Sequence, residues 1–333
     1  LSEAPGPAAA ASPPAPPLKL PAFEVGISAP DISPWLAGNT GLPGFTTWSA
    51  YAPGAHVALV ALNHGNEIAG AIALDRLLRA GLRPARGRLT FGFANLAAFE
   101  RFDPRQPTAS RFVEEDFNRI WDPAVLDGPR HSAELDRARA VRPVIETVDV
   151  LLDLHSMLWP SEPLTLCGES PRGRALGEAI GVPGLLVADR GHASGRRLID
   201  YPRFTDPDQE AAAVLVEAGQ HWEAPTVDMM LAAVAGLLRA LGVVDDHPAL
   251  PRPAHPRVAP RYAEVTQVVT AATGSFAFMQ PFRGGDVVAA AGTLIAMDGS
   301  AEVRTPHDDC LLIMPSLRPS RGHTAVRLAR FVG

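Results

Sequence analysis

The order of apolar and polar positions divides the chain into a long region of alternating element types and a shorter β-rich one. HVALVALN over 56–63 is a short apolar run rich in Val and predicts a buried strand. Over 67–80, Ile68, Ala71, Ile72 and Leu78 fall on one side at helical spacing, and Gly81 closes the run, so a helix is expected. RLTFGFAN, 88–95, reads as a second strand. Residues 97–131 are polar and irregular, with Pro104, Pro107 and Pro123 interrupting any helix. A loop of that length inside a compact domain is usually functional. A helix over about 132–147 leads into the strand VDVLLDLH, 148–155, and PLTLC (163–167), GLLVA (184–188) and AVLVEAG (213–219) are further strands. Helices lie between and after them, most clearly over 226–241. Strands alternating with helices predict an α/β fold with a mixed, mostly parallel central sheet covered by helices on both faces.

The pattern changes twice. Prolines crowd 246–261 and predict a linker, after which EVTQVVTAATG, DVVAAAGTLIAMDG, CLLIMP and TAVRLARFV read as short strands between Gly and Pro turns. Residues 262–333 are therefore expected to form a small C-terminal β domain following a main domain over 23–245. Residues 1–22 form a Pro/Ala-rich tail without the charged start and apolar centre of a signal peptide, and an extended conformation is expected there.

Charge and composition narrow the function classes. The net charge of -6 leaves no electrostatic footprint for nucleic acid. No apolar run approaches the roughly 20 residues of a membrane helix. Cys167 and Cys310 are too few for a disulfide framework and form no CxxC pair, which suits buried thiols in a reducing, cytoplasmic setting. Lys19 is the only lysine, so the cationic side chains are almost all guanidiniums, suited to gripping carboxylates. The sequence is compatible with a homo-oligomer and does not set the assembly.

Four segments carry candidate chemistry. NHGNE, 63–67, follows a strand and opens a helix, so His64 and Glu67 can converge on one point with a nitrogen and an oxygen, a pairing that suits zinc. Alone, HxxE is common by chance, and a helix-capping Asn66 beside a solvated Glu67 is the plainer alternative. DLHS, 153–156, ends a strand, where open α/β sheets place their ligands. Asp153 and His155 share a face, so Asp153 can orient a metal-bound His155 from behind. RFVEEDFNR, 111–119, offers Arg111, Asn118 and Arg119 to a substrate carboxylate, against the alternative of a solvated loop paired through Glu114, Glu115 and Asp116. Glu217 interrupts an apolar strand, and a carboxylate there requires a partner or a role. His221 reads as packed, and His192, His307 and His323 lie in Gly- or Pro-rich turns.

In this order the motifs resemble the succinylglutamate desuccinylase/aspartoacylase family, relatives of the zinc carboxypeptidases. The resemblance rests on His64-Gly-Asn-Glu67, Arg111 followed by Asp116-Phe-Asn-Arg119, Asp153-Leu-His155 and Val216-Glu217-Ala-Gly219, and it spans roughly 27–245. It implies one zinc ion per chain on His64, Glu67 and His155, with a fourth position for water. It further implies Glu217 as the general base, Arg111 at the oxyanion, and Asn118 and Arg119 on a substrate carboxylate. The implied activity is removal of an acyl group from a small N-acyl amino acid bearing a carboxylate. A carboxypeptidase acting on a small peptide, or a non-catalytic metal- or ligand-binding protein on the same scaffold, is the alternative. The family's aspartoacylases carry a further Arg ten residues before the catalytic Glu; Pro207 stands there, with Arg203 or Arg197 as the nearest substitutes.

Overall fold

A computed structural model describes residues 23–192, 194–252 and 259–332. The expected tail over 1–22 lies outside the described residues, as do 253–258 of the expected linker; 246–252 and 259–260 form neither helix nor strand.

The first half alternates as its periodicity predicts. Strands β1 (Phe45–Ser49) and β2 (Ala52–Ala61) precede helix α1 (Ile68–Arg79), and β3 (Arg86–Phe93) precedes a short α2 (Leu96–Phe99). The polar segment that follows holds only α3 (Pro123–Leu126) and a single 3-10 turn at Phe117–Arg119. Helix α4 (Ala133–Ile145) then leads into β4 (Val150–Met157) and β5 (Leu164–Leu166). Helix α5 (Pro171–Ile180), β6 (Leu185–Ala188), α6 (Pro202–Thr205), β7 (Ala212–Gln220) and α7 (Ala224–Ala240) complete the region. Beyond it lie β8 (Arg261–Thr270), β9 (Phe276–Phe278), β10 (Val287–Val288), β11 (Leu294–Asp298), β12 (Ala301–Arg304), β13 (Cys310–Ile313) and β14 (Thr324–Phe331).

The central sheet has the order β1-β3-β2-β4-β7-β5-β6-β8-β14-β13-β10. In its first part β3–β2, β2–β4, β4–β7 and β5–β6 pair parallel, while β1 and β5 join antiparallel neighbours. The C-terminal strands form the small β unit, which includes a separate antiparallel sheet β12-β11-β9. That unit is also stitched to the main sheet, because β8 pairs parallel with β6 from Leu185↔Arg261 to Ala188↔Glu264. Helices α1 and α7 pack on one face against Leu59, Leu152, Val214 and Val216, and α4 covers the other over Ala58, Leu151 and Leu215. Helix α1 is buried almost all round, with only Arg76 and Arg79 reaching the surface, a wider apolar face than the four residues read from its periodicity.

The turn after β2 is where the fold becomes specific. Leu62 adopts φ 63, an uncommon conformation for a large side chain, and turns the chain out of the strand. Gly65 then lies so close to α2 that a Cβ would sit 2.3 Å from Ala98 C. Its amide donates to Arg111 O at 3.1 Å, tying this turn to the long polar loop. Gly65→Ala is therefore expected to lower unfolding stability by about 1–3 kcal/mol through backbone overlap. Denaturant titration of the purified variant measures this, and wild-type stability would contradict the packing described.

Candidate metal centre and active site

The C-terminal ends of β2, β4 and β7 meet at one end of the sheet, the usual position for ligands in open α/β folds. His64 follows β2, Glu67 opens α1, and His155 lies near the end of β4. Their ligand atoms all fall within 4.8 Å of one another, and all three residues are buried. His64 Nδ1 is 2.6 Å from Glu67 Oε1, and His155 Nδ1 is 3.1 Å from Glu67 Oε2.

Each ring turns its other nitrogen to a carboxylate. His155 Nε2 lies 3.0 Å from Asp153 Oδ2, and His64 Nε2 lies 2.9 Å from Asp116 Oδ1. Arg111 Nη2 also lies 2.9 Å from His64 Nε2. A metal at the shared point would take both Nδ1 lone pairs and leave each Nε2–H for its carboxylate, the usual backing of a ligating histidine. Asn63 holds Asp153 in turn, donating from Nδ2 to both carboxylate oxygens at 2.9 and 2.8 Å. Burial alone would raise the Glu67 carboxyl, but the two imidazoles outweigh it and hold its pKa well below the usual range. Burial alone would lower His155, but Asp153 and Glu67 outweigh it and hold that pKa well above the usual range. Two nitrogens and one carboxylate oxygen, converging and charge-coupled, fit zinc better than magnesium or calcium.

Glu217 stands beside this cluster, because β4–β7 pairing sets His155 opposite Glu217 on the same face. Its Oε2 is buried and accepts no hydrogen bond. Burial first, and then the Glu67 charge, push its carboxyl up to about 8, against the pull of His155, Arg111 and Arg327. A half-buried carboxyl with one unsatisfied buried oxygen and a raised pKa is costly to maintain, and such groups concentrate at functional sites.

The loop carrying Arg111 to Arg119 is not loosely solvated. Glu134 of α4 is fully buried and accepts from the amides of Val113, Glu114 and Glu115 at 2.6, 3.1 and 3.2 Å and from Asn95 Nδ2 at 3.0 Å. Arg111 Nη2 donates to Asp116 Oδ2 at 3.2 Å, and its Nη1 lies 3.6 Å from Glu67 Oε1. Asn118 is buried and accepts from the Leu198 amide at 2.8 Å, and Arg119 donates to the Asn118 carbonyl at 2.6 Å. Arg111, Asn118 and Arg119 line, with the cluster and Glu217, a cavity of about 910 Å³.

Arg203 is not part of the site. It is tied to Val148 O, Gln209 Oε1 and Asp149 Oδ1 at the start of β4, at the opposite end of the sheet from His155. The nearby Pro202 and Asp206 bound a short helix that turns the side chain that way. Arg197 does line the cavity, but Asp189 and Asp200 occupy its guanidinium. Asn66 does not cap α1: the cap position is Glu67, and Asn66 Oδ1 is buried without a partner. His221 is packed, with Nδ1 2.8 Å from Ser156 Oγ and a pKa lowered by burial to about 3, yet it lines the cavity as well. Sequence reading gave no role to Asp116 behind His64, to Glu134, or to the cavity-lining His192 and Arg327. The Asp in the DFNR motif was the one available signal.

A mixed α/β sheet with a buried His–Glu–His cluster and a half-buried, partly unsatisfied carboxyl at its strand ends defines this as a hydrolase-like protein with a candidate metal centre. The chain belongs to the succinylglutamate desuccinylase/aspartoacylase family, whose catalytic-domain model matches residues 53–241. Among solved structures it is similar to succinylglutamate desuccinylase from Vibrio parahaemolyticus, with a TM-score of 0.64, 17% identity and 87% of each chain covered. It is also similar to a succinylglutamate desuccinylase/aspartoacylase from Rhodobacter sphaeroides, with a TM-score of 0.62, 20% identity, and 87% of this chain and 89% of that one covered. A third is the product-bound ectoine utilization protein of Ruegeria pomeroyi, with a TM-score of 0.57, 18% identity, and 86% and 88% covered. These likenesses show the fold. No curated protein matches. Among the described residues, no helix is long and apolar enough to cross a membrane.

Asp153→Asn is expected to weaken metal binding by about 10–100-fold, since the outward partner of a ligating histidine sets its tautomer. Competition with a chromogenic chelator measures it, and unchanged affinity would remove Asp153 from the centre.

Proposed function

We propose that the chain is a zinc-dependent amidohydrolase that removes the acyl group from a small N-acyl amino acid. The observation that carries this reading is Glu217, half-buried with one carboxylate oxygen buried and without a partner, beside three converging ligand atoms in a cavity rich in guanidiniums. A protein that only stored or sensed a metal has no use for that carboxyl. The family membership supports a deacylase, and the cavity favours a small substrate over a peptide, because segments 314–316 and 322–324 wall one side.

His64, Glu67 and His155 would hold the zinc. A zinc ion bound there would act as a Lewis acid and lower the pKa of a water from about 16 toward 7. Glu217 takes the proton from the attacking water and later passes it to the leaving amine, which requires it ionised at the start of the cycle. Arg111 is half-turned into the cavity beside Glu67 and donates to the carbonyl oxygen as that oxygen becomes negative. Asn118 and Arg119 orient the substrate through a carboxylate, and Asp153 keeps His155 in register.

The test is amine release from a panel of N-acyl amino acids, with and without chelator, on protein purified without added metal. Zinc near one per chain and chelator-sensitive turnover are expected. Less than about a tenth of that content, with no gain on adding zinc, rules out the ligand set. Glu217→Gln should lower turnover by about 10²–10⁴ with zinc content unchanged. Near-normal turnover would remove Glu217 from the proton path, and loss of zinc would make it a ligand.

The pH profile carries a sign. Turnover rises with pH as Glu217 ionises. Its pKa of about 8 is held up partly by the Glu67 charge, which a cation on Glu67 opposes. The acid limb of kcat/KM is therefore expected below pH 8. A limb above it would show that the cation does not relieve Glu67.

A further inference from the structure

Arg327 lies on β14 and is 3% exposed. Its natural counter-ion is already engaged. Asp189 receives Arg197 through both oxygens, Nη1 to Oδ2 at 3.0 Å and Nη2 to Oδ1 at 2.8 Å, leaving Arg327 Nε a contact of 3.3 Å without hydrogen-bond geometry. Arg327 Nη2 donates instead to His192 Nε2 at 2.6 Å, while His192 Nδ1 faces Thr324 Oγ1 at 3.4 Å. An imidazole accepting at Nε2 is neutral. Burial and the charges of Arg327, Arg119 and Arg197 all hold it so. Nη1 of Arg327 hydrogen-bonds to nothing among the described residues. Arg119, which lines the same cavity, is similarly under-compensated: its Nη2 is 4.0 Å from an Asp116 already shared with His64 and Arg111. Burial pushes its pKa down to about 10.

Buried Arg327 and half-buried Arg119 thus line one cavity together with the neutral His192 ring, each with donors to spare. Both are near the reacting end: the Arg327 charge acts on Glu217, and Arg119 shares Asp116 with the His64 ring. A buried cation that its own chain leaves partly unpaired is stabilised when a ligand brings the missing anion.

We propose that Arg327 and Arg119 form the two jaws of one carboxylate-binding subsite, so that the C-terminal strand β14 reads the same substrate carboxylate as the 111–119 loop. The subsite rests on the deacylase reading for its substrate class, an N-acyl amino acid whose α-carboxylate carbon lies two bonds from the nitrogen of the scissile amide. Arg327 is here a specificity-determining residue. Its neighbours Asp189 and Arg197 form the fixed wall, and His192 spaces the jaws.

The experiment is calorimetric binding to the zinc-loaded protein, in a Glu217→Gln background that prevents consumption of the ligand. The probes are N-acetyl-L-alanine and its primary amide, which differ only in the carboxylate. Arg327→Met should weaken N-acetyl-L-alanine by about tenfold or more, the size of a lost charge-assisted contact, and leave the amide within about twofold. Arg119→Met should do the same, and the double variant should lose clearly less than the product of the two, because both side chains grip one group. Arg327→Lys should recover part of the loss. Equal weakening of acid and amide, or multiplicative losses in the double variant, would overturn the subsite. If Arg327→Met does not fold, Arg327→Lys and Arg327→Gln decide by the same acid-to-amide ratio. Absence of turnover in the unsubstituted protein would count against the deacylase reading alone, since the binding ratios do not depend on catalysis.

Discussion

A carboxylate carried into the interior at the head of a helix governs this protein's layout. Glu67 is 2% exposed, and an ion so placed must be met by opposite charge or by a metal. Two imidazoles, one from the turn after β2 and one from β4, meet it, and each is backed by its own carboxylate, Asp116 or Asp153. Those carboxylates need partners in turn. Asn63 satisfies Asp153, and Arg111 and Arg119 approach Asp116. The alternation of charge spreads outward from Glu67 until it reaches the cavity, where guanidiniums remain with spare donors. Glu134 provides the mechanical counterpart, clamping three successive amides so that the loop carrying those guanidiniums cannot drift.

Much of this was legible in the sequence because burial leaves strong patterns. The strands under His64, His155 and Glu217 are continuous apolar runs, and the polar residue that ends or interrupts each run is the one that carries chemistry. β1 was not legible: FTTWS is five residues of mixed polarity on an edge, paired on one side only. β12, with AEVR, lacks an apolar face for the same reason. At the site, residues close in sequence to a motif were found, and residues brought in by tertiary structure were not. Asp116 looked like a partner for loop arginines and serves His64 as well. His192 and Arg327 are 135 positions apart and meet only because β14 returns beside the main sheet. Arg203 misled by proximity, since six residues of helix and turn direct it to the far end of β4.

The C-terminal unit is part of the same hydrogen-bonded ladder as the strands bearing His155 and Glu217, joined at β6–β8. Its contribution to the cavity is therefore made from a strand, whose position is fixed by backbone pairing, while the opposing jaw is held on a loop by a buried carboxylate. The two sides of the cavity are thus built by different means.

That ladder also acts as a caliper. Between β7, which bears Glu217, and β14, which bears Arg327, the sheet passes through β5, β6 and β8. On a flat sheet those positions would stand close to ~20 Å apart at the usual strand spacing. They nevertheless line one cavity, in a sheet whose strands twist as sheets do. The pairing of β14 with β8 slips twice, between Thr324 and Val326 and between Leu328 and Ala329, on either side of Arg327. Such irregularities sharpen local twist. The span from Glu217 to Arg327 thus depends on ladder register. A change that straightened either slip would alter the length of molecule the cavity accepts without replacing a single residue that lines it.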